Sequence, residues 1–324
     1  MLVGVPDNGG EEHILKKMTL TTGMDYKKIL TSMPSDQTIT IWTYDVYSKE
    51  GFKFYKDCLG HLQDCTLIVS KITDSMRQKF ETELPCVTLV NKENTHAKIL
   101  VIPPDIVYLS SQNFGDNPDW FQYAVRIQDW GACQFYMGET ADHKDGDSTN
   151  NIRQTGNSFA DYTRQASNNY GKYIPDYSGI SLSAVEAKLE YTVNWNQKFN
   201  GYFDRDFLIC TYTLPDYGYC QRMIEKLLKQ RNRVHFIANT KSEEPLRKLQ
   251  QEFGKITFEV YSNFHAKMVL VSPVNAGRNG IVWLSSQNFG DSGWFEHLFR
   301  LKSATAYEYY LGKLEGFVDH KICW

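Results

Sequence analysis

The chain of 324 residues lacks the features that mark membrane or secreted proteins. Its apolar runs fall well short of the roughly 18–20 residues that a membrane span needs. Asp7, Glu11 and Glu12 interrupt the region where a secretory signal would be apolar. The seven cysteines include no Cys-x-x-Cys pair. We therefore expect no transmembrane segment, reduced and mostly buried thiols, and an intracellular (cytoplasmic or nuclear) protein.

The chain also lacks an excess of positive charge, because its formal net charge is −3. Acidic residues outnumber basic ones up to residue 202, and basic residues are in excess only after that point. This balance excludes a protein that coats nucleic acid through its overall charge. A polyanionic substrate would have to be held by local clusters, mainly in the C-terminal half. The hydrophobic content of 42% argues against disorder.

One seven-residue stretch occurs twice. Residues 110–116 read Ser-Ser-Gln-Asn-Phe-Gly-Asp, and residues 285–291 repeat them. Each copy follows a His-Ala-Lys triplet, at 96–98 and at 265–267, and each precedes a Trp-Phe pair. A repeat of this length, with its companions in the same order, indicates an internal duplication. Two similar units in one chain are expected to pack about a pseudo-two-fold axis, with equivalent residues facing each other.

Strand and helix patterns alternate around both copies. Short apolar, β-branched runs predict strands at 38–44, 66–70, 86–91, 98–102 and 106–111, and again at 208–212, 234–238, 256–261, 267–271 and 281–286. Amphipathic periodicity predicts helices at 50–59, 74–83, 221–229, 245–253 and 306–317. This alternation predicts an α/β layered fold.

The composition divides the chain into three parts. Residues 1–138 and 206–324 are the two repeated units, and residues 1–36 within the first are interpreted as an N-terminal arm with a short helix near 25–32. Residues 139–205 are rich in Asp, Asn, Ser, Gly and Tyr. We interpret them as a polar insertion or connector whose second half is partly ordered.

The repeated residues have a common chemistry. A histidine and a lysine two apart on an extended strand point to the same face, so His96 with Lys98, and His265 with Lys267, can share one pocket. Asn113 and Asn288 end the neighbouring strands and can reach it. Lysines and amides suit the oxygens of a phosphodiester, and two imidazoles suit a nucleophile and a general acid. No metal-ligand spacing accompanies them, so we expect neither a metal nor another cofactor.

His-x-Lys followed by Ser-x-Asn, twice in one chain, resembles the phospholipase D superfamily. The resemblance implies a duplicated α/β/α fold with pseudo-two-fold symmetry and one active site between the halves. The aspartate that this family places five residues after the lysine is replaced by Pro103 and by Ser272. Its loss, and a tryptophan soon after the asparagine, are typical of the tyrosyl-DNA phosphodiesterase branch.

That branch also implies separate roles for the two histidines. Its members use a Gln and a Glu downstream of the asparagines, each orienting the histidine of the opposite motif. Carried over, Glu296 orients His96 as the nucleophile, and Gln122 orients His265 as the general acid. Glu296 as a surface ion-pair residue is the alternative.

Residues around the motifs have less certain roles. We expect Ser111 and Ser286 to contact substrate, and Trp120 and Trp294 to form pocket walls or to stack on substrate. Tyr44 and Tyr212 are interpreted as packing residues. The histidines without a repeat partner are interpreted as structural or solvated: His13, His61, His143, His235, His297 and His320.

The resulting prediction is a metal-independent phosphodiesterase that acts on nucleic acid through a phosphohistidine. Single strands or free ends are the favoured substrates, and both half-sites lie in one chain, so a monomer suffices. One alternative is a phospholipase or phosphatidyl transferase that acts on lipid phosphodiesters. A second is a degenerate duplicate that binds substrate without turning it over.

Overall fold

The computed structural model describes residues 11–46, 48–114, 120–141, 179–191, 194–275 and 278–322. The strands in these ranges are β1 (Glu11–Thr21), β2 (Ile39–Val46), β3 (Cys65–Ile72), β4 (Val87–Asn91), β5 (Ile99–Ile102), β6 (Ile106–Ser110), β7 (Ala124–Gln128), β8 (Ile180–Tyr191), β9 (Asp206–Thr211), β10 (Arg233–Asn239), β11 (Ile256–Tyr261), β12 (Met268–Val271), β13 (Ile281–Ser285) and β14 (His297–Lys302). The helices are α1 (Tyr26–Thr31), α2 (Lys49–Leu59), α3 (Asp74–Glu83), α4 (Trp130–Ala141), α5 (Trp195–Lys198), α6 (Tyr217–Lys229), α7 (Glu243–Phe253) and α8 (Ala304–Val318), with one 3-10 turn at Thr240–Ser242.

Local sequence signals explain where the helices begin and end. The side chain of Ser48 accepts the backbone N–H of Gly51 at 2.9 Å at the start of α2, and Asp216 accepts that of Tyr219 at 2.9 Å at the start of α6. These side chains satisfy N–H groups that have no partner within the helix. Helix α7 ends at Gly254, whose φ of 64° is accessible to glycine at little cost.

All fourteen strands form one sheet in the order β11-β10-β9-β12-β13-β14-β8-β1-β7-β6-β5-β2-β3-β4. The two ends of this sheet have the same order, because each strand of the first half has its equivalent seven strands later. The halves meet where β1 pairs antiparallel with β8. This order is that of two equivalent units about a pseudo-two-fold axis between β1 and β8.

Helices cover both faces of the sheet. On one face, α4 and α8 pack on the central strands through buried side chains that include Tyr136 and Tyr310. On the other face, α1, α2 and α3 cover the first unit, and α5, α6 and α7 cover the second. The predicted α/β/α layering is confirmed.

The structure corrects the prediction for the N-terminal arm. Residues 11–21 form β1, which lies at the centre of the sheet rather than outside it. The run was missed because its polar and charged residues interrupt the apolar alternation. The helix near 25–32 is present as α1. Strands β7 and β14, which follow the two Trp-Phe pairs, were not predicted either.

The segment 139–205 lies partly outside the described residues. Its later part contains β8 and α5, the equivalents of β1 and α1 in the other half. The boundaries 1–138, 139–205 and 206–324 stay predictions, but this placement favours a second unit that starts with β8.

Two composition-based expectations can be compared with the fold. Of the six cysteines that the structure describes, five are buried and Cys86 is partly buried, and all six are free thiols. Among the described helices, none is both long enough and apolar enough to cross a membrane.

Candidate active site

The two repeated motifs meet at a cleft of about 360 Å³. Residues from both units line it: Tyr44, Asp45, His96, Asn113, Trp120, Tyr212, Thr213, His265, Lys267 and Asn288. The structure therefore brings together both histidines, both asparagines and one of the two motif lysines. Asp45 and Thr213 were not singled out from the sequence.

Backbone bonds between the units position the two histidines. The N–H of His96 donates to the carbonyl of Phe295 at 2.9 Å, and the N–H of Phe295 donates to the carbonyl two residues before His96 at 2.7 Å. In the equivalent place, the N–H of His265 donates to the carbonyl of Phe121 at 3.0 Å. Each histidine is thus held beside the residue that follows the other motif's Trp-Phe pair.

This exchange between units places Glu296 beside His96. The Nδ1 of His96 lies 3.1 Å and 3.2 Å from the two carboxylate oxygens of Glu296. The carboxylate also accepts the hydroxyl of Ser286 at 2.5 Å, and its side chain is only 4% exposed. A buried carboxylate on Nδ1 favours the proton there and leaves the lone pair on Nε2. Glu296 is not a surface ion-pair residue.

The second half-site has an amide in place of the carboxylate. The Nδ1 of His265 lies 3.0 Å from Oε1 of Gln122. An amide oxygen accepts only, so Nδ1 carries the proton and Nε2 is free to exchange one. The Nζ of Lys267 is 3.3 Å from this Nε2. The ammonium group of Lys267 therefore lies beside Nε2 of His265, the nitrogen that would carry the transferred proton.

Both histidines have pKa values below the ordinary value for imidazole. Burial is the main cause for His96, and the cation of Lys98 lowers its pKa further, against the opposing effect of Glu296. Burial is also the main cause for His265, followed by Lys267 and Lys98. Both rings therefore favour the neutral form. The charge of a bound phosphate would offset the two lysines and favour protonation of His265.

The two motif lysines take different positions. Lys267 lines the cleft, whereas Lys98 is fully buried behind it and donates to the carbonyl of His96 at 2.6 Å. Both lie close enough to the histidines to affect their pKa values. Lys267 therefore supplies positive charge from the cleft lining, and Lys98 supplies it from behind the cleft.

The two asparagines also line the cleft. Oδ1 of Asn288 accepts the N–H of Thr213 at 3.2 Å, which leaves its NH₂ group available as a donor. Oδ1 of Asn113 is buried and has no hydrogen-bond partner among the described residues. Donors at these positions can bind the oxygens of a phosphodiester.

The structure does not place Ser111 and Ser286 on the cleft surface. Both are fully buried, and their hydroxyls accept the N–H groups of Tyr123 at 3.1 Å and of His297 at 3.0 Å. Backbone groups and Glu296 occupy these hydroxyls, so the serines help to hold the strands together, and their contact with substrate stays a prediction.

The aromatic residues pack directly on the histidines. The ring of Tyr44 lies 5.1 Å from His96, edge to face, and Tyr212 lies 4.6 Å from His265 in the same arrangement. Both tyrosines line the cleft, so the interpretation as packing residues is incomplete. Their equivalent positions in the two repeats were the signal that could have identified them. Trp120 and Trp294 lie 5.6 Å and 6.0 Å from the nearer histidine.

A buried polar pair lies between the two half-sites. The hydroxyl of Tyr123 is 2.7 Å from Nε2 of His297, and both residues are fully buried. They follow Gln122 and Glu296 in the chain and are each other's equivalents in the duplication. His297 is therefore a structural histidine, as the sequence predicted. His13, His61, His235 and His320 lie outside the cleft lining, and His143 lies outside the described residues.

Within the described ranges, no three His, Cys, Asp or Glu side chains are grouped as a metal site. The cleft is lined by two imidazoles, one lysine and two amides, and the second motif lysine, Lys98, is buried behind it. These groups can bind a phosphodiester, attack phosphorus and protonate a leaving oxygen.

Comparisons with known proteins place the fold. No protein-family model matches the sequence, and no curated protein does. Among solved structures, phosphatidylserine synthase from Haemophilus influenzae Rd KW20 matches with a TM-score of 0.63 and 15% identity, over 96% of this chain and 88% of that one. Polyphosphate kinase from Porphyromonas gingivalis matches with a TM-score of 0.56 and 11% identity, over 94% of this chain. This chain spans only 50% of that kinase.

A further match covers a smaller part of the chain. The phospholipase D family member Nuc from Salmonella typhimurium covers 39% of this chain and 93% of its own, with 12% identity and a TM-score of 0.29. The chain has a phospholipase D-like α/β fold. At these sequence identities the matches show the fold and not the activity.

Proposed function

We propose that this chain is a phosphodiesterase of the phospholipase D superfamily that forms a phosphohistidine intermediate. The observation that carries the proposal is the exchange between repeats, in which His96 lies 3.1 Å from Glu296 of the other unit. The same exchange places Gln122 on His265. A duplicate that had lost catalysis would have no need of a buried carboxylate on one histidine and an amide on the other.

The first half-reaction starts with attack on phosphorus by Nε2 of His96. A nitrogen–phosphorus bond forms as the bond to the leaving oxygen breaks. The leaving oxygen takes a proton from His265, and Lys98, Lys267, Asn113 and Asn288 stabilise the charge on the other phosphate oxygens. Glu296 stabilises the positive charge that develops on the attacking ring.

The second half-reaction restores the enzyme. Neutral His265 removes a proton from water, whose oxygen attacks the phosphorus of the phosphohistidine. The nitrogen–phosphorus bond breaks, and His96 regains its neutral form. The nucleophile and the general acid thus act on opposite sides of one phosphorus.

We propose nucleic acid as the substrate, with unpaired strands or free ends preferred. The chain has no overall positive charge, so it would bind long duplexes weakly and in a salt-dependent manner. The cleft of about 360 Å³ suits one strand better than a duplex. In motif style the chain resembles the tyrosyl-DNA phosphodiesterase branch.

Phosphatidyl transfer is the second candidate. The likeness in fold to phosphatidylserine synthase over most of both chains favours it. In that case an alcohol would replace water in the second half-reaction, and the residues would keep their roles.

Incubation of the purified protein with labelled single-stranded DNA, duplex DNA and phosphatidylcholine vesicles tests the substrate. We expect cleavage of the single strand, unchanged by excess EDTA. Faster turnover of the vesicles would favour the second candidate. Loss of activity with EDTA that magnesium or zinc restores would contradict the proposed chemistry.

A further inference from the structure

Two clusters of the same composition flank the histidine pair. We call Tyr44, Trp294 and Lys71 the His96-side platform. Its counterpart, the His265-side platform, consists of Tyr212, Trp120 and Lys241. Each combines two aromatic rings with one lysine, and each draws its tryptophan from the opposite repeat.

The His96-side platform is a stack of rings with a cation above it. The rings of Tyr44 and Trp294 lie 5.4 Å apart at an interplanar angle of 27°. The Nζ of Lys71 lies 5.1 Å from the centre of the tyrosine ring and 5.8 Å from that of the tryptophan. Asp45 is opposite Lys71 in the register of β2 and β3, so the lysine adds less net charge here.

The His265-side platform is more open. The rings of Trp120 and Tyr212 lie 6.1 Å apart at 34°, and both line the cleft. The Nζ of Lys241 lies 4.7 Å from the centre of the Tyr212 ring and also donates to its hydroxyl. Lys241 is exposed, so its charge reaches the mouth of the cleft.

We infer that these platforms are two subsites, each of which holds an unpaired nucleobase beside the scissile phosphate. The inference rests on the proposed phosphodiesterase function and defines its substrate as a single strand with a base on each side of that phosphate. Aromatic rings stack on any base, because every base has a planar face. A lysine beside the rings pairs with the next phosphate along the strand. Bases paired in a duplex could not reach both platforms.

The charges of the platforms argue against the common phospholipid headgroups. Aromatic rings bind quaternary ammonium groups well. Here each platform already has a lysine ammonium over its tyrosine. A choline or ethanolamine headgroup would bring a second positive charge to the same ring, where like charges repel. A base flanked by phosphates meets no such repulsion.

The proposed roles of the two histidines determine which platform binds the leaving nucleoside and which binds the retained nucleoside. A general acid must lie within hydrogen-bond reach of the leaving oxygen, so the leaving nucleoside lies near His265 and its base rests on the Trp120 side. The retained nucleoside, bound to His96 through phosphorus, has its base on the Trp294 side.

The test uses thymidylyl-thymidine, which has one phosphodiester, and two analogues that lack the thymine on one side or the other. We expect each missing base to lower kcat/KM by roughly 10- to 100-fold. Trp120→Leu should lower kcat/KM for the parent compound by a similar factor and abolish the difference between the parent and the analogue without the leaving-side base. Trp294→Leu should do the same for the other analogue. Trp130→Leu is the matched control, because Trp130 is 48% exposed and lies outside the cleft lining.

If Trp120→Leu and Trp294→Leu each lower kcat/KM by the same factor for all three compounds, the inference is wrong. Tryptophans that only pack on the histidines would affect every substrate alike. Faster turnover of phosphatidylcholine vesicles than of thymidylyl-thymidine would also overturn it. If the wild type cleaves none of these compounds, nor bis(4-nitrophenyl) phosphate, the proposed function is wrong. In that case the affinities of the three dinucleotide compounds, measured by calorimetry, test the two subsites. Equal affinities would show that the subsites do not bind the bases.

Discussion

The two half-sites have nearly the same construction but differ in the group that holds the histidine. His96 and His265 each begin a repeated motif, and each donates its backbone N–H to a carbonyl of the other unit. The partner on Nδ1 is the carboxylate of Glu296 for His96 and the amide of Gln122 for His265. A single difference between the repeats, Glu296 against Gln122, therefore gives different partners to two histidine rings that the duplication would otherwise make equivalent.

In the proposed mechanism, this difference lets a symmetric scaffold perform an asymmetric reaction. A carboxylate stabilises positive charge on its imidazole, which suits a ring that bonds to phosphorus. A neutral amide orients the ring without that charge, which leaves the other histidine able to lose its proton easily. The sidedness of the reaction lies in Glu296 and Gln122, while the geometry is shared.

Removal of either histidine should have the largest effect. We expect His96→Ala and His265→Ala each to reduce turnover by about 10⁴-fold or more, because each unit supplies one reacting group. Quench-flow with labelled substrate and mass spectrometry should locate the phosphate on His96, with accumulation in His265→Ala. An adduct on His265, or a near-normal rate in either variant that keeps its circular dichroism spectrum, would reverse or refute the assignment.

Exchange of the two orienting groups should have the next largest effect. Glu296→Gln should lower kcat by about 10²- to 10⁴-fold, because the attacking ring loses its counter-charge while its orientation is kept. Gln122→Glu should have a smaller effect on kcat and raise the pKa of His265. Rates for the two single variants and the double exchange, measured on one substrate, check this order. Full activity in Glu296→Gln would contradict the proposed sidedness.

The lysine in the cleft should affect both rate and pH dependence. Lys267→Ala should cost about 2–4 kcal/mol in transition-state stabilisation. A general acid acts in its protonated form, so activity falls as pH rises through the pKa of His265, which lies below the ordinary imidazole value. Lys267 is among the causes of that lowering. The basic limb of kcat/KM should therefore move to higher pH in the variant, and an unmoved limb would separate Lys267 from His265.

The two buried serines provide the smallest and most closely matched comparison. Ser286 donates to the carboxylate of Glu296, whereas the hydroxyl of Ser111 accepts a backbone N–H in the other half-site. Ser286→Ala should lower kcat by the equivalent of about 1.5–3 kcal/mol, because a hydrogen bond to a charged group is lost. Ser111→Ala should cost about 1 kcal/mol or less in kcat. Equal effects on kcat, with equal changes in the free energy of unfolding, would indicate a purely structural role for both.

Much of the fold followed from periodicity. Strands β2 and β9 are mostly buried on both faces and rich in apolar, β-branched and aromatic residues, so their positions were predicted closely. Strand β1 was missed because residues such as Glu12 and Lys16 break its apolar alternation. Its place at the centre of the sheet is fixed by pairing with β7 and β8, a long-range contact that no local pattern contains.

The site was predicted to a different degree. Exact repetition identified His96, His265 and their companions, and the contacts of Glu296 and Gln122 have the crossed arrangement that the resemblance implies. The catalytic roles of these residues stay predictions. The sequence alone did not show that Ser111 and Ser286 face inwards or that Tyr44 and Tyr212 line the cleft. At the end of a strand, the direction in which a side chain points depends on the hydrogen bonds between the two units.

The crossed backbone bonds at His96 and His265 also determine how activity depends on association. A single repeat, separated from the other, would contain His96 without its carboxylate and Gln122 without its imidazole. Two separated repeats would acquire a working cleft only when they meet, so their turnover at low concentration would rise with the product of the two concentrations. In the joined chain each repeat is permanently present at a high effective concentration near the other. The proposed activity per molecule would therefore not fall on dilution.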